Sequence, residues 1–234
     1  MSQEQLIEKI TAEIISEMSG YKTSVTNEND FTDAVAKRIA DKIKNGGKIN
    51  EIPQEEKSDY SSYPLAKKGT DPKEVVIGVG PAFEAQIKKT INGLSHEEVL
   101  ANIKAGIEEE GMVPRVVKVL ETSDVCFLAL AAAKISGSGI SVGIQSKGTA
   151  VIHQKDLYPL SNLELFPQAP LMTLLTYRKI GQNAALYAKG EQVRPIEVEN
   201  DPMIRAKYQV KAALMHIKET NQIDERRPII EWNR

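Results

Sequence analysis

Glu74-Val75-Val76-Ile77-Gly78-Val79 is the stretch on which the fold turns. Its β-branched residues follow one another with no polar partner between them. The alternation of a half-solvated strand is missing, and a strand covered on both faces, as in a parallel sheet, is implied. Downstream, Ser95 opens a capping box with Glu98, Val99, Ile103 and Ile107 recur at helical spacing, and Gly111 closes the helix. Val113 to Leu120 is the next strand, so the three elements form a strand, helix, strand unit with a right-handed crossover.

Apolar runs at Val125 to Ala131, Ile140 to Ile144 and Thr149 to His153 add three strands. A helix follows from Pro170 to Gly190, mildly interrupted by Gly181, and a last one runs from about Pro202 to Thr220. The expected fold is α/β, a Rossmann-like and mainly parallel sheet flanked by helices, with an amphipathic N-terminal extension.

That extension carries two stripes, Leu6, Ile7, Ile10, Ile14, Met18 and then Phe31, Val35, Ile39, Ile43. Helices this short need a partner surface. Lys48 to Pro72 is polar, holds Pro53, Pro64 and Pro72, and has no apolar period, as in a flexible tether. Residues 1–70 are therefore expected to be amphipathic helices and tether, and residues 71–234 the α/β domain.

With 30 basic and 32 acidic side chains the net charge is only -2, so no positive field gathers nucleic acid or anionic lipid. Neither is an expected partner. The single cysteine, Cys126, excludes an internal disulfide and fits a buried thiol in a reducing compartment. The first residues resemble neither a secretion signal nor a membrane span, and a cytoplasmic location is expected.

Gly78-Val79-Gly80-Pro81-Ala82-Phe83 follows a strand but is no dinucleotide turn, because Phe83 replaces the third glycine and Pro81 removes a backbone donor. His96, His153 and His216 stand far apart and form no metal-ligand pattern. No glycine-flanked serine nucleophile and no phosphate loop is present. No catalytic residue and no metal site are expected on this chain. The unusual segment is Ser136 to Thr149, where Gly137, Gly139, Gly143 and Gly148 alternate with small hydroxyl residues around Lys147. It reads either as a bed where backbone approaches a ligand closely, or as two tight strand connections with an exposed lysine.

The literal runs Gly137-Ser138-Gly139-Ile140-Ser141, Gly148-Thr149, Val151-Ile152-His153-Gln154 and Pro159 through Leu171 resemble the medium subunit of diol and glycerol dehydratases. So do Val79 through Phe83, Gly106 through Gly111, Ser123-Asp124-Val125, Thr176-Tyr177-Arg178, Asn183-Ala184-Ala185 and His216-Ile217-Lys218-Glu219-Thr220. The resemblance spans about Glu74 to Thr220.

It implies a lyase of two copies each of large, medium and small subunits, with adenosylcobalamin held between large and medium and the radical chemistry on the large subunit. It further implies that Asp124, Lys147, Thr149, Leu160, Asn162, Pro167, Gln168, Arg205 and Tyr208 seat the cofactor. Asp124 would accept from a corrin amide, Lys147 would meet the nucleotide phosphate, Asn162 and Gln168 would donate and accept, and Leu160 and Pro167 would cover the apolar lower ligand. Asp124 equally suits a turn cap, and Arg205 and Tyr208 equally suit a subunit interface. No Asp-x-His-x-x-Gly motif is present, so the cofactor is expected base-on. Resemblance also brings microcompartment shell proteins, as partners of the amphipathic segment, and a reactivating factor as further expected partners. The competing reading is the small subunit of a chaperone-like reactivating factor, against which the Leu163 to Leu171 run speaks.

Overall fold

The structure, a computed structural model, describes residues 57–232. Both N-terminal stripes, and the targeting role expected of them, lie outside the described residues. The described residues form one unit.

The first strand, β1 (Glu74–Val79), leads through a long loop to α1 (His96–Glu109), then β2 (Val113–Val119), α2 (Val125–Ile135), β3 (Ile140–Ile144), β4 (Ala150–Gln154) and β5 (Glu164–Phe166). A 3-10 turn at Ala169–Leu171 precedes α3 (Leu174–Lys189), α4 (Pro202–Asn221) and β6 (Ile229–Glu231). The six-stranded sheet has the order β5-β4-β3-β1-β2-β6. β1 lies parallel to β2 and to β3. β6 runs antiparallel to β2, β4 to β3 and β5 to β4. The sheet is thus mixed, which corrects the mainly parallel expectation. Only the three strands joined through α1 and α2 are parallel; the five-residue turn from Ile144 to Ala150 is too short for a crossover and reverses the chain.

Val75, Ile77 and Val79 face a core shared with Val99, Ile103 and Ile107 of α1 and Tyr177 and Ile180 of α3. On the opposite face Val76 meets Val117, Val119, Leu128 and Ala132. Burial on both faces explains why β1 carries no alternation. The helices α1 and α3 touch at their backbones, since a Cβ on Gly106 would strike the Arg178 carbonyl and one on Gly181 the Ile103 carbonyl. Gly181 is a contact point, and not merely a weak spot in its helix.

Val125 to Ala131 is the first part of α2 and not a strand. The run is continuous because α2 lies tight on the sheet: Ala132 occupies the space of a Cβ on Gly78, and Ala129 that of one on Gly143. Alanine is a strong helix former, and Asp124 caps the first turn.

Residues 57–70, expected to belong to the tether, strap the β6 side of the domain. Leu65 bridges to Ile230, the Ala66 N–H donates to Ile229 O (3.0 Å), and Gly69 N–H donates to Ile135 O (2.7 Å). Tyr60 is 7% exposed and gives its hydroxyl proton to Pro81 O at 3.0 Å. Pro64 and the polar residues here mark a pinned edge segment whose partners are distant in sequence.

Candidate functional site

The chain leaves β1 through α1 toward β2 and leaves β3 through a short turn toward β4, in opposite directions along the strand order, so a crevice is expected outside the carboxyl ends of these two strands. Such a switch point is where open α/β sheets take ligands. Gly80 N–H closes its floor by donating to Ile144 O at 3.0 Å.

The turn after β3, Gln145-Ser146-Lys147-Gly148-Thr149, forms one wall. Gln145 N–H donates to Thr149 O (3.0 Å) and Gly148 N–H to Gln145 O (2.8 Å), while Gly148 takes φ 102°, which glycine adopts without a Cβ clash. Contacts from outside hold the turn. The Gln145 side chain donates to Ser123 O (2.5 Å), buried Tyr177 donates its hydroxyl proton to Gly148 O (2.7 Å), and Ile91 N–H donates to Lys147 O (3.0 Å). Lys147 is therefore presented from a rigid turn beside the start of α2.

Behind the turn, His96 is fully buried and stacked on Phe83, with ring centroids 3.8 Å apart. Its Nδ1 accepts from Glu84 N–H (3.2 Å), so Nε2 carries the proton donated to Ser146 O (2.8 Å). Burial pulls its pKa down to about 4, and the ring is neutral.

At the start of α2, Asp124 is exposed and its Oδ1 accepts from Cys126 N–H (2.8 Å) and Phe127 N–H (3.1 Å). It is a helix cap whose Oδ2 stays available. Burial lowers the pKa of the Lys147 ammonium, which the charges of Glu219 and Asp124 partly offset. Among the described residues no hydrogen bond or ion pair takes up that ammonium. Thr149 is 7% exposed, and its Oγ1 is buried without a partner among the described residues. Asn162 reaches Cys126 Sγ at 3.9 Å, two positions along the chain from Asp124.

The other expected residues lie apart. Leu160 is 73% exposed and Pro167 is exposed. Gln168 is buried with both ends of its amide engaged, accepting from Asp201 N–H (2.9 Å) and donating to Asn200 Oδ1, so it tethers the start of α4. Arg205 and Tyr208 sit on the solvated part of α4, Arg205 exposed and Tyr208 half-buried.

Two residues outside the expected set complete the corner. His216 has its pKa lowered by burial and by Lys147, against the opposing charge of Asp124. Glu219 is 2% exposed, accepts from Ser146 N–H (3.4 Å), and burial pushes its pKa up to about 7. A Glu in a helix among ordinary surface residues gave no signal of burial; the literal run His216 through Thr220 was the only pointer.

Asp124 thus lies within electrostatic reach of Lys147, Thr149 shares the Lys147 turn and Asn162 meets the first turn of α2, with the Lys147 ammonium and the Thr149 hydroxyl left unengaged, while no group of three or more His, Cys, Asp or Glu able to hold a metal occurs among the described residues. No described helix is long and apolar enough to cross a membrane. Fold and site define an α/β domain with a polar, cationic turn at the carboxyl edge of its parallel strands. The chain belongs to the dehydratase medium subunit family, which residues 80–194 match.

Two solved structures match part of the chain. One, titled "Glycerol dehydratase reactivase", is 17% identical, covers 51% of this chain and 95% of its own, and has a TM-score of 0.43. Another, titled "Structure of diol dehydratase-reactivating factor complexed with ADP and Mg2+", is 22% identical, covers 55% and 98%, and has a TM-score of 0.40.

Proposed function

We propose that this chain is the medium subunit of an adenosylcobalamin-dependent dehydratase that converts 1,2-diols or glycerol to aldehydes, and that its recess is one side of the cobalamin seat against the large subunit. The observation that carries this is the turn Ser146 to Thr149, inside the matched family span, which holds a half-buried ammonium without an acceptor and a buried Thr149 hydroxyl without a partner. Buried polar groups are otherwise nearly always satisfied, so such atoms fit a polar ligand that brings amides and a phosphate.

Lys147 would meet the phosphate or neighbouring polar groups, the free Oδ2 of Asp124 would accept from an amide, and Thr149 and Asn162 would supply further hydrogen bonds. Leu160 and Pro167 are exposed apolar surface suited to the lower ligand, and Arg205 and Tyr208 extend the seat along α4. Gln168 serves by fixing α4. The cofactor, when bound, supplies the radical that starts the reaction, and this chain orients it. It carries no catalytic residue. The assembly has two copies each of large, medium and small subunits, the cofactor stays base-on, and the amphipathic stripes before residue 57 mediate clustering within a bacterial microcompartment.

The test is co-purification with large and small subunits, followed by an aldehyde assay and by retention of cobalamin on gel filtration. The wild-type complex should turn over diol or glycerol, and Lys147→Ala should weaken cobalamin retention. Co-purification with an ATPase-like subunit, or cobalt ligated by a histidine of this chain, would overturn the reading.

A further inference from the structure

The helix α4 is twenty residues long, yet among its described side chains only Leu214 and Glu219 are buried. So little apolar burial does not hold a helix in place; its ends must. At the N-terminal end Gln168 grips Asp201 and Asn200. At the other end Ser123 Oγ and Thr220 Oγ1 are 2.9 Å apart, and Ser58 N–H donates to the Gln222 side chain at 2.9 Å.

Between these contacts Glu219 enters the crevice between β1 and β3. Its Oε1 accepts from Ser146 N–H at 3.4 Å and fills the space in which a Cβ on Gly80 would lie. A carboxyl of the chain itself therefore occupies the slot at the switch point, directly beside the Lys147 turn. Arg205 and Tyr208 lie on the same helix, fourteen and eleven residues away, so where that helix is fixed sets where they stand.

Resting on the proposed function, we infer that Glu219 is a positioning residue: seated between Gly80 and Ser146, it locks α4 to the sheet edge and so sets Arg205 and Tyr208 across the cobalamin recess from Lys147. It acts by shape and by accepting the Ser146 hydrogen bond, which an uncharged carboxamide also does.

The experiment uses the assembled complex with hydroxocobalamin as probe, measuring affinity by absorbance after equilibrium dialysis. Glu219→Ala should weaken binding by about tenfold or more, in line with the cost of misplacing contacts by about 1 Å, and Glu219→Gln should restore it. Tyr208→Ala should weaken the wild type but add nothing in the Glu219→Ala background, because α4 no longer presents that residue. Should Glu219→Ala fail to assemble, Gly80→Ala gives the same test, since its methyl drives the carboxyl from the crevice.

Wild-type affinity in Glu219→Ala, equal losses in Ala and Gln, or a full Tyr208→Ala effect in the Glu219→Ala background would overturn the inference alone. Failure of the wild-type complex to bind hydroxocobalamin would overturn the functional reading with it.

Discussion

The ammonium of Lys118 lies 3.9 Å from the ring centroid of Trp232 and 5.0 Å from that of Tyr60. Lys118 is fully buried in β2, and it donates to Tyr60 Oη (3.3 Å), Pro81 O (3.5 Å) and Phe83 O. A buried cation persists only when aromatic faces and hydrogen bonds replace its water. Here those partners come from the strap, the loop after β1 and the segment after β6, so one side chain joins three distant pieces of chain.

A chain that begins at residue 71 loses Tyr60 and uncovers Trp232, whereas one that begins at residue 57 keeps both. Removal of a buried aromatic alone costs about 3–5 kcal/mol. The urea midpoint should therefore be clearly lower for the first truncation than for the second. Equal midpoints would show that the strap contributes nothing.

His96 governs stability on the acid side. Its folded pKa of about 4 lies below the ordinary 6.5, so between these values the unfolded chain binds the extra proton. Stability rises with pH across that window and is lost as pH falls through it. Urea midpoints measured from pH 7 to pH 4 should fall more steeply for the wild type than for His96→Gln.

Glu219 works in the opposite direction. Its folded pKa of about 7 stands above the ordinary 4.5, so the folded chain holds the extra proton between them and stability declines as pH rises through this window. Glu219→Gln removes that decline. Relative to wild type it should gain stability with rising pH, by up to roughly 3 kcal/mol above pH 7 at about 1.4 kcal/mol per unit. A constant difference between the two chains from pH 5 to pH 8 would count against a buried carboxyl.

Tyr177→Phe leaves Gly148 O without its donor in a buried setting, at a cost of about 1–3 kcal/mol. Because the lost bond supports the Lys147 turn, cobalamin affinity of the complex should fall together with the melting temperature. An affinity unchanged in a destabilised complex would separate the turn from the seat.

Several elements were legible in the residues themselves. The β-branched run at Glu74 to Val79, the Ser95 cap with Gly111 as stop, and Gly190 at the end of α3 are local signals, written in backbone preference and in hydrogen bonds a few residues apart. Lys147 and its glycine-flanked turn were visible for the same reason.

The direction of β4, β5 and β6, the nature of Val125 to Ala131, the docking of residues 57–70 and the burial of Glu219 were settled only by the tertiary structure. An apolar run looks alike as a covered helix or a covered strand until glycines such as Gly78 and Gly143 show how closely the partner layer approaches. Likewise, a carboxylate looks like a surface residue until the chain folds Gly80 and Ser146, more than sixty residues distant, around it. The free energy of such contacts depends on neighbours in space, and no local preference encodes it.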